Sequence, residues 1–153
     1  MSQVLANLNA QGINLPALGE SKTLFKQYVV SGNHVYISGQ LPLGFGDLKE
    51  HVGQLGKNCD IERARKIANY CALNAIAQLQ AAIGDLDKVK RCTKLTVFVN
   101  STAEFTDQPQ VANAASELMI QAFGEKGAHA RSAIGVSQLP FGVAVEVEAI
   151  FEI

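Results

Sequence analysis

Arg131 opens an apolar stretch and is the residue whose chemistry is easiest to specify. It is followed by the run 132–136, SAIGV, and a guanidinium buried in such a run needs an anionic partner. Two interpretations stay open on residue physics alone. The partner is either a glutamate of the last strand, in a structural salt bridge, or a substrate carboxylate, for which a planar guanidinium is better suited than an ammonium group.

Glu146 is a carboxylate that could act on a water molecule. It stands in a strictly alternating segment together with Glu148 and Glu152, and glutamates in such a pattern usually form the solvent side of a strand. If that side lines a cleft between subunits, one of the glutamates could hold and polarise a water molecule. The residues alone do not choose between the two interpretations.

The histidines and cysteines indicate neither a metal site nor a nucleophile. His34, His51 and His129 are scattered, without the spacing of metal ligands. We expect His34 to pack in a strand, whereas His129 precedes Arg131 by two residues and could shape a site there. Three cysteines match neither a disulfide framework nor a zinc motif and predict free thiols, at Cys59, Cys71 and Cys92. We therefore expect no metal site.

The composition excludes several classes of protein. Of 153 residues, 48% are hydrophobic and 18% charged, and the net charge is −1, which excludes a disordered chain and gives no global reason to bind nucleic acid. The densest group of basic residues has two aspartates nearby, and it predicts a solvent-exposed start of a strand rather than a nucleic-acid site. It consists of Lys88, Lys90, Arg91 and Lys94. With no signal-peptide pattern and no long apolar run, we expect a cytoplasmic protein without a membrane span.

Two strands and a long helix are predicted in the first half of the chain. The apolar runs Phe25–Val30 and His34–Ser38 flank the turn residues 31–33 and predict a β-hairpin. Apolar residues at helical spacing predict a helix over 61–83, with Asp60 as N-cap and Gly84 as its end. The preceding residues 1–22 are expected to form an N-terminal arm or a short helix.

The second half predicts three strands and another helix. Lys90–Val99 is the next strand, and Asp107 or Thr106 caps a helix that ends at Gly124. The segments 132–139 and 143–153 are then expected to form a final hairpin. The order β-β-α-β-α-β-β predicts one α+β domain over 1–153, a sheet with two helices packed on one face. The opposite face should carry apolar residues such as Leu95, Val97 or their neighbours, which points to oligomerisation.

Two separated motifs resemble those of the Rid (reactive intermediate deaminase), or YjgF-type, family. The segment 38–42, SGQLP, is similar to the family's SGQ-[IL]-P motif. Arg131-Ser132, then Leu139-Pro140, then Glu146 at the start of EVEA are similar to its C-terminal motif, and Asn113 matches the asparagine of its second helix. The segment 127–131 resembles a longer sub-branch. Some members are described as L-PSP endoribonucleases that inhibit translation.

The resemblance implies a chorismate-mutase-like subunit in a barrel-centred homotrimer with clefts between subunits. It implies cofactor-independent hydrolysis of small enamines and imines of the 2-aminoacrylate type to 2-oxo acids and ammonia. An endoribonuclease, or a non-catalytic trimer that binds a small carboxylate, is the alternative.

The resemblance also assigns roles to single residues. Arg131 would bind the substrate carboxylate and Glu146 would position the attacking water. Five further residues would line the pocket, namely Ser38, Gly39, Phe25, Asn113 and Ala133. Two of them depart from the family, because Phe25 stands in place of a tyrosine and Ala133 in place of a cysteine. Neither lost side chain is required by a mechanism that relies on the arginine and the glutamate.

Overall fold

Five strands form one mixed sheet in the computed structural model, which describes residues 2–153. The strands are β1 (Tyr28–Ser31), β2 (His34–Gln40), β3 (Arg91–Asn100), β4 (Ala130–Val136) and β5 (Val145–Glu152). Their order in the sheet is β1-β2-β5-β3-β4. All neighbours are antiparallel except β3 and β4, which are parallel. The predicted first hairpin is confirmed, although β1 begins at Tyr28 rather than at Phe25.

The helices begin and end where local sequence signals place them. They are α1 (Gln3–Asn9), α2 (Ile61–Ile83) and α3 (Gln108–Phe123). The Asp60 side chain accepts a hydrogen bond from the backbone N–H of Arg63 at the start of α2. Gly84 ends this helix with φ of 77°, a backbone angle that suits glycine. The predicted bounds of α2 are therefore confirmed.

Both long helices cover the same face of the sheet, as predicted. Helix α2 packs on β2 and β5, and α3 packs on β3 and β4. Alternate residues of β5 are fully buried beneath them, namely Val145, Val147, Ala149 and Phe151. Four alanines of α2 are also completely buried, at Ala64, Ala68, Ala72 and Ala75. Because alanine side chains are small, they allow the helix axis to lie close to the sheet.

Helix α1 supports α3 from the outside. The Asn7 side-chain amide donates to the carbonyl of Ala122 near the end of α3. The carboxylate of Asp87 accepts hydrogen bonds from the backbone N–H groups of Gln3 and Val4. These two hydrogen bonds hold the pKa of Asp87 below its ordinary value, and the bond from Gln3 has the larger effect. The arm predicted for residues 1–22 thus contains a short helix that is tied to the core.

The prediction of a final hairpin between β4 and β5 is wrong. β4 pairs in parallel with β3, and β5 lies between β2 and β3. The connection from β4 crosses the end of β3, where the Asn100 side chain donates to Gln138 Oε1 and to the carbonyl of Val143. Because a parallel pair needs a crossover connection, β3, α3 and β4 form a βαβ unit, and β4 becomes an edge strand.

The uncovered face of the sheet differs from the prediction. Leu95 and Val97 are fully buried on the helix-covered face, because they alternate with the residues that point away from the helices. The open face carries apolar and polar side chains together, among them Val29, Tyr36, Ile134, Lys94, Thr96 and Glu148. Val29 and Tyr36 are each almost half exposed. No helix in the described residues is long and apolar enough to cross a bilayer.

Candidate functional site

Arg131 lies on the edge strand β4 and points to the helix-covered side. It pairs in register with the buried Leu95 of β3, so its side chain reaches α3. Its Nη1 donates to Asn113 Oδ1 at 2.7 Å and to Ser116 Oγ at 3.1 Å. Both acceptors are neutral, and no carboxylate in residues 2–153 lies within ion-pair distance of this guanidinium. The structural salt bridge to a glutamate of the last strand is therefore not formed within one chain.

The hydrogen bonds of Arg131 leave one edge of its guanidinium available. Both protons of Nη1 are used by Asn113 and Ser116, whereas Nε and Nη2 have no hydrogen-bond partner among the described residues. The Nε–H and one Nη2–H of an arginine are parallel donors that match the two oxygens of a carboxylate. A half-buried positive charge with a free fork edge is the arrangement that binds a small anion.

Ser116 and His129 complete the group around Arg131, which we call the arginine cluster (Arg131, Asn113, Ser116 and His129). His129 Nε2 lies 2.8 Å from Ser116 Oγ, and His129 Nδ1 lies 2.6 Å from the carbonyl oxygen of Gly127. The sequence analysis missed Ser116. Its signal was its spacing from Asn113, since three residues along a helix place Ser116 on the same face one turn later.

Glu146 lies on the open face of the sheet, beside the end of β2. A regular pairing of β2 with β5 breaks between Ile37 and Gln40. At this irregularity a Cβ atom on Gly39 would collide with the Glu146 carboxylate. Glycine at position 39 is therefore what allows the carboxylate to lie against the backbone of β2. Glu146, Gly39 and the adjacent Ser38 form a second group, which we call the glutamate cluster.

The environment of Glu146 changes its acidity. Partial burial raises the pKa of Glu146 above its ordinary value, and the nearby Glu148 carboxylate raises it further. A carboxyl group in a less polar environment gives up its proton less readily, and a like charge has the same effect. Glu146 is thereby a better proton acceptor, once ionised, than a solvated glutamate on a strand surface.

Ser38 joins the end of β2 to the segment before β1. Its hydroxyl donates to the carbonyl of Lys26, and its backbone N–H donates to the carbonyl of Gln27 at 2.9 Å. The buried Gln40 side chain donates to Gln27 Oε1 and to the Ser38 carbonyl. These bonds hold the segment next to Phe25, a residue that is 58% exposed. Phe25 is thus linked to the glutamate cluster along the chain, through the hydrogen bonds of Ser38 with Lys26 and Gln27.

The candidate residues fall into two groups on opposite faces of the sheet. Asn113 contacts Arg131, and Ala133 follows on the same covered side of β4, packed against the core. Ser38 and Gly39 accompany Glu146 on the open side. Within one chain the predicted residues thus form two separate groups, one around Arg131 and one around Glu146, and these two residues are not brought together.

The basic stretch is used in local contacts. Lys88 and Lys90 donate to the backbone carbonyls of Ile83 and Ile153, and Lys94 donates to Ser132 Oγ at 2.9 Å. Arg91 lies 4.0 Å from Glu152. In residues 2–153 no group of three or more potential ligand side chains is placed to hold a metal ion.

Comparisons with known proteins agree with this architecture. The family described as "YjgF/chorismate mutase-like, putative endoribonuclease" matches residues 5–151. Protein TCP17 of Trypanosoma cruzi is 49% identical, over 99% of this chain and 94% of its own length. The crystal structure of a protein of unknown function from Agrobacterium tumefaciens is 41% identical, with a TM-score of 0.89, and covers 98% of this chain and 92% of its own.

A more distant structure carries a more specific name. RidA from an Antarctic Psychrobacter is 28% identical, with a TM-score of 0.58, over 90% of this chain and 93% of its own. The sequence similarity extends over nearly the whole chain in each of these comparisons, and the two solved structures share the fold over the same length.

Proposed function

Because the chain belongs to the YjgF/chorismate mutase-like family, we propose that it is a hydrolytic deaminase of small enamines and imines that carry a carboxylate. The observation that carries the proposal is the half-buried Arg131, which has neutral partners on Nη1 and a free edge at Nε and Nη2. A substrate such as 2-aminoacrylate, in its imine form, would place its carboxylate on that edge. The products are the 2-oxo acid and ammonia.

The proposed reaction needs one activated water and no cofactor. Water adds to the carbon of the C=N bond while the Glu146 carboxylate accepts one of its protons. The protonated Glu146 then returns this proton to the nitrogen, which gives a tetrahedral intermediate with one hydroxyl and one amino group. As the C=O bond forms, the Glu146 carboxylate takes the hydroxyl proton and passes it to the amino group, so that the C–N bond breaks and ammonia leaves. The raised pKa of Glu146 suits a group that must hold the proton it accepts until it returns it.

We further propose that the complete site lies between two chains of a homotrimer. Arg131 and Glu146 are on opposite faces of one sheet, so a cleft that contains both is most simply formed by two copies. The uncovered face supports this assembly, because it exposes apolar side chains such as Val29, Tyr36 and Ile134. A central barrel built from three such faces would remove them from water.

The test is release of 2-oxo acid from imines that an amino-acid oxidase or a serine dehydratase generates in the assay. The wild-type protein should accelerate the appearance of 2-oxo acid, and Arg131→Ala should lower this acceleration by at least 100-fold, in view of the charge-assisted hydrogen bonds that are lost. Arg65→Ala, which removes a partly exposed arginine paired with Glu117, is the matched control and should be as active as the wild type.

The same variants separate the proposal from its alternatives. Full activity of Arg131→Ala would contradict the role of carboxylate binding. Cleavage of RNA that persists in Arg131→Ala through repeated purification would support an endoribonuclease instead. Stabilisation of the protein by a 2-oxo acid, without any turnover of imines, would support a binding protein.

A further inference from the structure

We propose that His129 is a positioning residue for Arg131 and acts through the hydroxyl group of Ser116. The proposal rests on the proposed function for the identity of the ligand, a carboxylate on the free edge of Arg131. The hydrogen bonds themselves are independent of that function. They run from the carbonyl of Gly127 through the imidazole ring and the hydroxyl group to the guanidinium.

The direction of each hydrogen bond follows from its chemistry. The Gly127 carbonyl can only accept, so His129 Nδ1 carries the proton and donates across 2.6 Å. In this tautomer Nε2 is an acceptor, and the Ser116 hydroxyl donates to it across 2.8 Å. Arginine can only donate, so Ser116 Oγ accepts from Nη1 across 3.1 Å. Each group has one role, and His129 determines which way the hydroxyl proton points.

The first acceptor of this chain of bonds is held rigidly. A Cβ atom on Gly127 would overlap the backbone of Met119 in α3. Because only glycine permits this close approach, the Gly127 carbonyl is fixed relative to the helix that carries Ser116 and Asn113. The imidazole ring of His129 thus connects two fixed points, the turn before β4 and the middle of α3.

The consequence for Arg131 is a guanidinium held by neutral groups only. A serine in a helix can otherwise turn its hydroxyl toward the carbonyl of the preceding turn, which changes the direction of its lone pairs. His129 prevents this rotation and keeps a lone pair of Ser116 directed at Nη1. The charge of Arg131 is not neutralised by these partners, so it remains available to the carboxylate. We therefore expect His129 to affect the affinity for the carboxylate and not the hydrolytic step.

The experiment compares His129→Leu, Ser116→Ala and the double variant with the wild type, using pyruvate as the carboxylate probe. Each single change should raise the dissociation constant for pyruvate about three- to tenfold, the effect of one hydrogen bond. The double variant should bind pyruvate as well as whichever single variant has the higher dissociation constant, because both changes break the same chain of hydrogen bonds. In imine hydrolysis, the same variants should raise KM and leave kcat unchanged.

Two controls distinguish positioning from a general loss of structure. His129→Gln keeps an acceptor within reach of the Ser116 hydroxyl and should restore pyruvate binding to within about twofold of the wild type. His34→Leu replaces a histidine at the start of β2, at the other end of this strand from Ser38 and Gly39, and should have no effect. Pyruvamide, which lacks the carboxylate, should not distinguish any of the variants. A thermal melt of each variant verifies that it is folded.

Several outcomes would overturn the proposal. Wild-type affinity of His129→Leu, or a double variant whose loss is the product of the two single losses, would mean that His129 does not act through Ser116. The nitrogen-15 shifts of the imidazole ring give an independent measurement, and a ring protonated at Nε2 rather than Nδ1 would contradict the directions above. If the wild type neither binds pyruvate nor hydrolyses imines, the proposed function is wrong. The nitrogen-15 shifts of the ring still test, independently of that function, whether His129 accepts a hydrogen bond from Ser116.

Discussion

At the scale of single residues, two glutamates lie side by side on one face of β5, and the charge of one changes the pKa of the other. Glu146 and Glu148 are two residues apart on a strand, so both point to the open face. Burial is the first cause of the raised pKa of Glu146, and the charge of Glu148 is the second. Burial depends on the whole cleft, but the charge of Glu148 can be removed by one substitution.

Glu148→Gln should lower the pKa of Glu146 and move the acid limb of the rate–pH profile to lower pH. The proposed base is active when ionised, so a raised pKa makes activity fall at a higher pH than it would for an ordinary glutamate. Removal of the neighbouring charge reverses part of this effect. The measurement is kcat/KM for imine hydrolysis against pH.

Glu146→Gln should lower kcat about 100-fold or more at every pH, as expected for loss of a general base.

Glu152→Gln is the control for the effect of Glu148→Gln on the rate–pH profile. Glu152 belongs to the same strand and face, but it lies at the far end of β5, close to Arg91, and is not a cause of the pKa of Glu146. An acid limb that stays unchanged in Glu148→Gln, or one that moves equally in Glu152→Gln, would contradict the coupling between the two glutamates.

The residues of the candidate site are only partly predictable from the sequence. Arg131 and Glu146 belong to spaced motifs, which identify them without any knowledge of the fold. Ser116 belongs to no motif. Its role depends on the rotation of α3 that points Asn113 and Ser116 at the edge strand, and that rotation is set by packing against β3 and β4. A sequence pattern predicts that a helix is amphipathic, but not which polar residue meets which strand.

At the scale of elements, local and non-local signals differ in what they predict. The start and end of α2 follow from Asp60 and Gly84, which lie within the helix termini themselves. The pairing of β4 follows from contacts far apart in the chain, such as those of Asn100 with Gln138 and Val143. Two strands joined by a short turn segment therefore suggested a hairpin that the structure does not form.

The alanines of α2 give a prediction about how closely this helix lies on the sheet. Ala72 is fully buried and Ala81, on the same helix, is exposed. Ala72→Leu should lower the free energy of unfolding by about 1–3 kcal/mol, because the added carbons have no free volume beneath the helix. Ala81→Leu should change it by less than about 0.5 kcal/mol. Equal effects in denaturant titrations at one protein concentration would mean that α2 does not lie this close.

At the scale of the whole molecule, the two clusters and the uncovered face have one common explanation. The arginine cluster lies at the edge strand on the covered side, and the glutamate cluster lies on the open side. A chain with 48% hydrophobic residues also leaves apolar side chains on the open face. Assembly into a homotrimer would bury that face and bring the edge of one chain to the open side of the next.

Mixed oligomers test this assembly and the shared cleft together. Arg131→Ala and Glu146→Gln should each be inactive alone as homotrimers. When the two variants are co-expressed and mix at random, about one quarter of the clefts should combine an intact Arg131 from one chain with an intact Glu146 from its neighbour, because each cleft samples two chains independently. Activity should therefore return to roughly that fraction of the wild-type value.

Native mass spectrometry of the same samples supplies the control. The oligomers should have masses near three times 16.3 kDa and should contain both variants. Equal amounts of the two proteins that were purified separately and not allowed to exchange should remain inactive, since no cleft then holds both groups. Mixed trimers without activity would mean that Arg131 and Glu146 do not act across a subunit boundary. A monomeric wild type that is fully active would contradict the assembly itself, because the two groups of one chain lie on opposite faces of its sheet.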